Sequence, residues 1–171
     1  MAQWGADPAE VSTPAGLARF CADHLPTVYG YLLRLAGGER GLAEDLTQET
    51  FLALTAELRK GRSERADIRW LMTVARSRYV DHVRRETRSR RKLQLLGGRE
   101  ETVGLDDEPT HSEVLEQVYA LEPLHRLVLM MRYVDGAPVS EIAATVDRSV
   151  PATYSLLARA REELRSRGGR S

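Results

Sequence analysis

From Leu17 onward, apolar side chains recur at Leu17, Phe20, Cys21, Val28, Leu32 and Leu35. That spacing is the stripe of an amphipathic helix, not the alternation of a strand. Pro26 falls inside the stripe and predicts a bend or a restart, because proline removes a backbone donor and crowds the preceding turn. Gly37-Gly38 predicts the stop. A second helix is expected from about Leu42 to Leu58, with Leu46, Thr50, Ala53 and Leu54 on one face and Asp45, Gln48, Glu49 and Leu52 on the other. Residues 59–67 form a polar, basic loop. A third helix runs from about Ile68 to Arg91, pointing Ile68, Leu71, Met72, Ala75, Tyr79 and Val83 into a core. Three helices make one bundle over 17–92. Residues 1–16, with two prolines, two glycines and no period, read as a disordered leader.

The pattern lapses over residues 93–110, where Gly97-Gly98, Gly104, Asp106–Glu108 and Pro109 leave no apolar period and predict a flexible linker. A second helical unit over 111–167 follows. Ser112–Ala120 and Leu124–Tyr133 carry helical patterns on either side of Pro123, which suits a first helical turn. Gly136 closes that segment, and Val139–Val146 and Val150–Arg165 are two more helices with a few residues between them. The fold class is therefore all-α, two small helical domains on a tether. Each is small for a self-sufficient core.

Composition narrows the chemistry. One cysteine, Cys21, excludes an intrachain disulfide and any multi-cysteine metal site. Its place on the apolar face favours a core role over redox sensing. His24, His82, His111 and His125 lack metal-ligand spacing, so no metal and no cofactor are expected. No nucleophile–base pair or phosphate-cradling glycine loop is visible, which argues against an enzyme. No apolar run approaches a membrane span and the N-terminus lacks the order of a signal peptide, so a cytoplasmic protein without membrane insertion is expected.

Charge is the stronger signal. Lys+Arg and Asp+Glu balance at 25 each over the whole chain. Locally they do not: residues 59–99 carry 14 basic and 4 acidic side chains, net +10, and residues 100–124 carry 8 acidic and none basic. Residues 1–58 are net −5 and residues 125–171 net +3. A basic block of that density, with aromatics interleaved, points to a polyanion such as a nucleic-acid backbone. Near the C-terminus, Ser140-Glu-Ile-Ala-Ala144 makes a short helix, Asp147-Arg148 a turn, and Ser149 an N-cap before a longer, basic-ended helix. Short helix, tight turn and second helix is the layout that lays its second helix in a major groove, and equally that of an ordinary helical hairpin.

These residues carry a family resemblance. Leu121–Gly136 (LEPLHRLVLMMRYVDG), Ser140-Glu-Ile-Ala143 and Leu157-Ala-Arg-Ala-Arg161 resemble region four of bacterial sigma factors. Ala43-Glu-Asp-Leu-Thr-Gln-Glu-Thr-Phe51 resembles the polymerase-binding helix of region two, and Trp70-Leu71, Ala75-Arg76 and Asp81–Arg85 the promoter-melting helix that follows it. With only these two regions, over residues 17–166, the chain resembles the extracytoplasmic-function (group IV) class. The resemblance implies region two at 17–92, region four at 111–167, and transcription initiation directed at chosen promoters. Its implied partners are core RNA polymerase (beta and beta-prime subunits), promoter DNA, and an anti-sigma factor that masks the polymerase-binding surfaces.

Site residues follow from the same resemblance. Asp45, Gln48, Glu49 and Leu52 would grip the polymerase, their carboxylates pairing with its arginines. Arg62 and Arg65 of the loop, with Arg76, Arg78, His82, Arg84 and Arg85, would hold the melted minus-ten strand. Ser77 stands where many relatives have Asn, and Trp70 reads as core. At the minus-thirty-five element, Thr153, Tyr154 and Ser155 would read base edges, with Ser149 as the cap and Arg148, Arg159 and Arg161 on phosphates. Family recognition helices often carry Lys and Arg where this chain has Tyr154 and Leu156, so weaker affinity or an unusual upstream motif is expected. A stand-alone helix-turn-helix regulator and a helical protein-binding adaptor remain the alternatives. The first would need an effector or dimerisation domain, and the second would not need the basic block.

Overall fold

The computed structural model describes residues 11–95 and 113–168. Residues 1–10 of the expected leader 1–16, residues 96–110 of the expected linker 93–110, and His111 lie outside them. Seven α-helices and one 3₁₀ turn make up the regular structure described: α1 Pro14–Leu35, α2 Arg40–Arg59, the 3₁₀ turn Ser63–Arg65, α3 Ile68–Leu95, α4 Glu113–Tyr119, α5 Pro123–Tyr133, α6 Val139–Val146 and α7 Val150–Gly168. The architecture is all-helical, as the periodicity predicted. Some boundaries differ. Val11 is already buried and α1 begins at Pro14, inside the expected leader. The same helix runs unbroken past Pro26, giving up one backbone hydrogen bond instead of restarting. At its far end α3 continues to Leu95, into the segment expected to be linker.

The helices gather into two compact units, Met1–Leu33 with Arg40–Tyr79, and Arg34–Glu39 with Val80–Ser171. In the first, Phe20, Val28, Leu32, Leu46, Leu54, Leu71 and Tyr79 form the core. Two threonines sit among them. Thr47 and Thr50 are buried, and their hydroxyls donate back to the carbonyls of Ala43 and Leu46 at 2.6 and 2.7 Å. Each buried polar group is thereby satisfied within its own helix. This fixes the face of α2 that turns inward, and so the face left outside.

The second unit is built around α7, which packs against α4, α5 and α6. Pro123 opens α5 at its first position, where the missing N–H costs nothing. Arg126 and Leu127–Met131 are all buried, so the middle of α5 is enclosed on every side, while Arg132 and Tyr133 at its end are exposed. A buried arginine must be satisfied, and Arg126 donates to the carbonyls of Leu35 and Leu121 at 2.8 and 2.9 Å. Leu35 is the last residue of α1, so the guanidinium lies at a helix C-terminus, where the macrodipole favours a cation. Gly37, at φ +71°, leaves the space it needs: a Cβ there would lie 2.0 Å from Arg126 Nη1.

Candidate nucleic-acid interface

With Ala43, Leu46, Thr47, Thr50 and Leu54 turned inward, α2 presents Asp45, Gln48 and Leu52 to solvent. Leu52 is 67% exposed, an unusually bare leucine bordered by acidic and amide side chains. Glu49 is half-buried, its Oε2 lying 3.9 Å from Arg78 Nε on α3. An acidic face around an exposed leucine repels phosphate, and its chemistry suits a protein partner.

After α2 the chain turns through the basic loop. Arg62 holds Glu57 with its guanidinium, Nη2 donating to Oε1 at 2.8 Å and Nε lying 2.6 Å from Oε2. Lys60 adds a bond to the same carboxylate at 3.2 Å. The hydrogen bond from Arg62, before the other contributions, holds the Glu57 carboxyl below its ordinary range. Arg62 thus clasps the loop, with its charge partly spent on Glu57. Arg65, on the 3₁₀ turn, is exposed. Asp67 accepts from the Arg69 N–H at 3.1 Å at the start of α3.

Along α3 the cations divide by depth. Arg76, Arg78 and His82 are half-buried, while Arg84, Arg85 and Arg88 are exposed. Arg84 Nη2 donates to the Thr145 carbonyl of α6 at 2.9 Å, and Arg85 Nε to the Asp81 carbonyl at 3.3 Å. Trp70 is half-buried, neither fully core nor a free stacking surface, and Ser77 is exposed.

In the second unit, α6 ends at Asp147, whose left-handed backbone (φ 54°, ψ 54°) turns the chain sharply into α7. Ser149 accepts from the Ala152 N–H at 3.3 Å, which is the N-cap the sequence predicted. Arg148, Ser149, Tyr154, Ser155, Arg159 and Arg161 are exposed on or before α7. Thr153 is the correction. It is fully buried, and its hydroxyl donates to the Ser149 carbonyl at 3.0 Å, so it holds the helix start and does not face DNA. Leu156 is also core at 2% exposed, so a lysine or arginine is not missing from the surface there.

Three features have no signature in the sequence pattern. Val150, the first residue of α7, is exposed beside Tyr154. Arg126 is a buried cation in what reads as an apolar run. The third is a clasp between α5 and α7, in which His125 Nδ1 lies 2.5 Å from Glu163 Oε2. Arg167 Nη2 and the Glu122 N–H donate to Glu163 Oε1 at 3.0 and 3.3 Å. Burial pushes the Glu163 carboxyl up, but hydrogen bonds from His125, Arg167 and the Glu122 N–H outweigh it and hold the group low. The clasp joins residues far apart in the chain, beyond any local pattern. Cys21 is half-buried, and burial pushes its thiol up, away from the reactive thiolate. Among the described residues, no three His, Cys, Asp or Glu side chains gather to hold a metal, and no helix is long and apolar enough to cross a membrane.

Comparison with known proteins matches residues 20–89 to Sigma-70 region 2 and residues 111–164 to Sigma-70 region 4. The RNA polymerase sigma factor CarQ of Myxococcus xanthus is 33% identical over 132 residues, covering 72% of each chain. The ECF RNA polymerase sigma factor SigC of Mycobacterium tuberculosis is 31% identical over 130 residues, covering 72% of this chain and 69% of its own. Among solved structures, the sigma factor RpoE, in complex with the anti-sigma factor NepR from Bartonella quintana, aligns with a TM-score of 0.56 and 18% identity. That alignment covers 91% of this chain and 98% of RpoE, and shows likeness of fold.

Proposed function

This chain belongs to the extracytoplasmic-function RNA polymerase sigma factors, and from that premise we propose how its residues divide the work of initiation. Region two spans 17–92, its last helix running on to Leu95, and region four spans 111–167. Asp45, Gln48, Glu49 and Leu52 bind core polymerase. The observation that carries this is the acidic outer face of α2 around a bare Leu52, a surface fit for protein and unfit for phosphate.

Arg65, Arg76, Arg78, His82, Arg84 and Arg85 hold the opened minus-ten strand, with Arg62 positioning their loop through Glu57. Arg148, Tyr154, Ser155, Arg159 and Arg161 meet the minus-thirty-five duplex, and Ser149 caps the helix that presents them. No bond is made or broken by the chain itself; its contribution is binding and choice of site, in the cytoplasm where polymerase works. An anti-sigma factor that covers the α2 face would hold it silent; the sigma factor RpoE, similar in fold, is itself found in complex with the anti-sigma factor NepR.

Run-off transcription with core polymerase on a randomised promoter library tests the proposal. The expected outcome is initiation from a subset sharing two elements. A stand-alone regulator or an adaptor would leave core polymerase without promoter choice.

A further inference from the structure

We propose that the upstream duplex is recognised through the methyl groups of thymine, by an apolar pair, Val150 and Tyr154, at the head of α7. The inference rests on the reading of α6 and α7 as a helix-turn-helix that enters the major groove.

It begins with the way α7 divides. Thr153, Leu156, Leu157 and Ala160 are buried, which fixes the inward arc. The opposite arc over the first two turns carries Val150, Pro151, Tyr154 and Ser155, all exposed, with Ala158 following on the same side. Val150 is 41% and Tyr154 59% exposed. One turn apart, these side chains are neighbours on the helix surface. The N-terminal residues of a recognition helix are the ones that reach base edges.

That stretch holds no lysine, arginine, carboxylate or carboxamide, the groups that recognise guanine, cytosine or adenine by paired hydrogen bonds. The Ser155 hydroxyl donates to the Pro151 carbonyl at 3.2 Å, and the Ser149 hydroxyl accepts from Ala152. Charge returns only beside this surface, with Arg148 before the helix and Arg159 and Arg161 in its third and fourth turns, where phosphates would flank the groove. What B-DNA offers an apolar side chain in the major groove is the C5-methyl of thymine. Burying one methyl group is worth about a fourfold change in affinity.

The test uses the full chain assembled with core polymerase. A randomised library first defines the preferred upstream element, and each thymine in it is then replaced singly by deoxyuridine, which removes only the methyl. The expected result is a loss of about threefold to fivefold at one or two positions. Val150→Ala should abolish the loss at one of them and Tyr154→Ala at the other or at the same one, with helical content unchanged because both side chains are exposed. Tyr154→Phe should keep the discrimination, since the ring and not the hydroxyl makes the contact. Equal binding of thymine and uracil throughout, or discrimination that survives both alanine variants, overturns the inference while leaving the helix-turn-helix reading intact. A library that returns no upstream element removes both.

Discussion

The two helices assigned to DNA, α3 and α7, present opposite surfaces. Beyond Val83, α3 exposes Arg84, Arg85 and Arg88 in a stretch of strongly positive charge. Over its first two turns, α7 exposes Val150, Pro151, Tyr154 and Ser155 and no charge at all. Phosphate contacts add affinity on every sequence alike, whereas edge contacts discriminate between sequences. The difference teaches that, on the proposed roles, holding and reading are separated along this chain. The face of α2 is a third kind of surface, acidic around Leu52, and is assigned neither task.

The strongest way to isolate this comparison is to remove the polymerase from it. Asp45→Arg with Glu49→Arg reverses two charges on the α2 face, and opposed like charges at an interface cost several kcal/mol. Binding to core polymerase should fall by more than about a hundredfold, since ~2.7 kcal/mol already gives that factor. Duplex binding by the chain alone should not weaken. A pull-down with circular dichroism as a folding control measures both, and undiminished polymerase binding would remove the assignment of α2.

Next in size is the direct contrast. Arg84→Ala with Arg85→Ala should lower open-complex formation about tenfold or more on all promoters alike, because removing each charged hydrogen bond costs ~1 kcal/mol or somewhat above. Because Arg84 also donates to the Thr145 carbonyl, Arg85→Ala alone separates strand capture from that bond. Tyr154→Ala should change which promoters are used and spare opening on pre-melted templates. Permanganate footprinting on duplex and bubble templates distinguishes them. A silent arginine pair together with a Tyr154→Ala block on the bubble would reverse the division of labour.

How legible was this in the sequence? Helices α2, α3, α6 and α7 were, because each buries one stripe and apolar spacing reports burial directly; α5 was, through Pro123 at its start and the apolar run behind it. Ser149 was legible as a cap, since capping is local chemistry. Thr153 is deceptive because a hydroxyl flanked by Tyr154 and Ser155 looks like a reader until the phase of the helix is known. Buried Leu156 and Leu157 set that phase and put Thr153 inside. Arg126 and the His125–Glu163 clasp were illegible for another reason. Leu35 lies 91 residues from Arg126 and Glu163 lies 38 from His125, and only the folded chain brings them together. For the binding faces, residue type carried the signal and burial then sorted it, turning Thr153 inward, while Arg62 of the basic loop is found paired with Glu57.

Salt sharpens the same contrast with a smaller effect. Each phosphate neutralised contributes about −0.9 to the slope of log affinity against log salt on duplex DNA, and about −0.7 on single strands. The Arg84→Ala, Arg85→Ala variant in holoenzyme should therefore show a slope shallower by roughly one to two units on promoter DNA. Tyr154→Ala should leave the slope where it was while lowering affinity for the preferred element. A titration from low to moderate salt, followed by fluorescence anisotropy, gives both numbers. Equal slope changes in the two variants would mean that Tyr154 positions a phosphate contact and is not a reader.

The smallest effect concerns what holds α7 in place to read. Glu163 accepts from His125, Arg167 and the Glu122 N–H, and these outweigh burial to keep its carboxyl below the ordinary 4.5. A carboxyl whose pKa is lower folded than unfolded stabilises the fold above its unfolded value and ceases to do so as pH falls through the folded value. Stability from this clasp is thus present at neutral pH and lost progressively below about 4.5. Glu163 remains partly open to solvent, so the contribution is at most ~1 kcal/mol after screening. Glu163→Gln should lower the melting temperature of the full chain by a few degrees at pH 7. It should lower it less at pH 4, below the ordinary 4.5, where the unfolded chain's carboxyl takes up a proton more readily than the folded one. The contrast with α3 follows, since Arg85 holds no such clasp and Arg85→Ala should leave the melting temperature's pH dependence unchanged. A Glu163→Gln deficit that grows as pH falls would have the opposite sign to that of a carboxylate stabilised by its donors, and would detach the clasp from the stability of the reading helix.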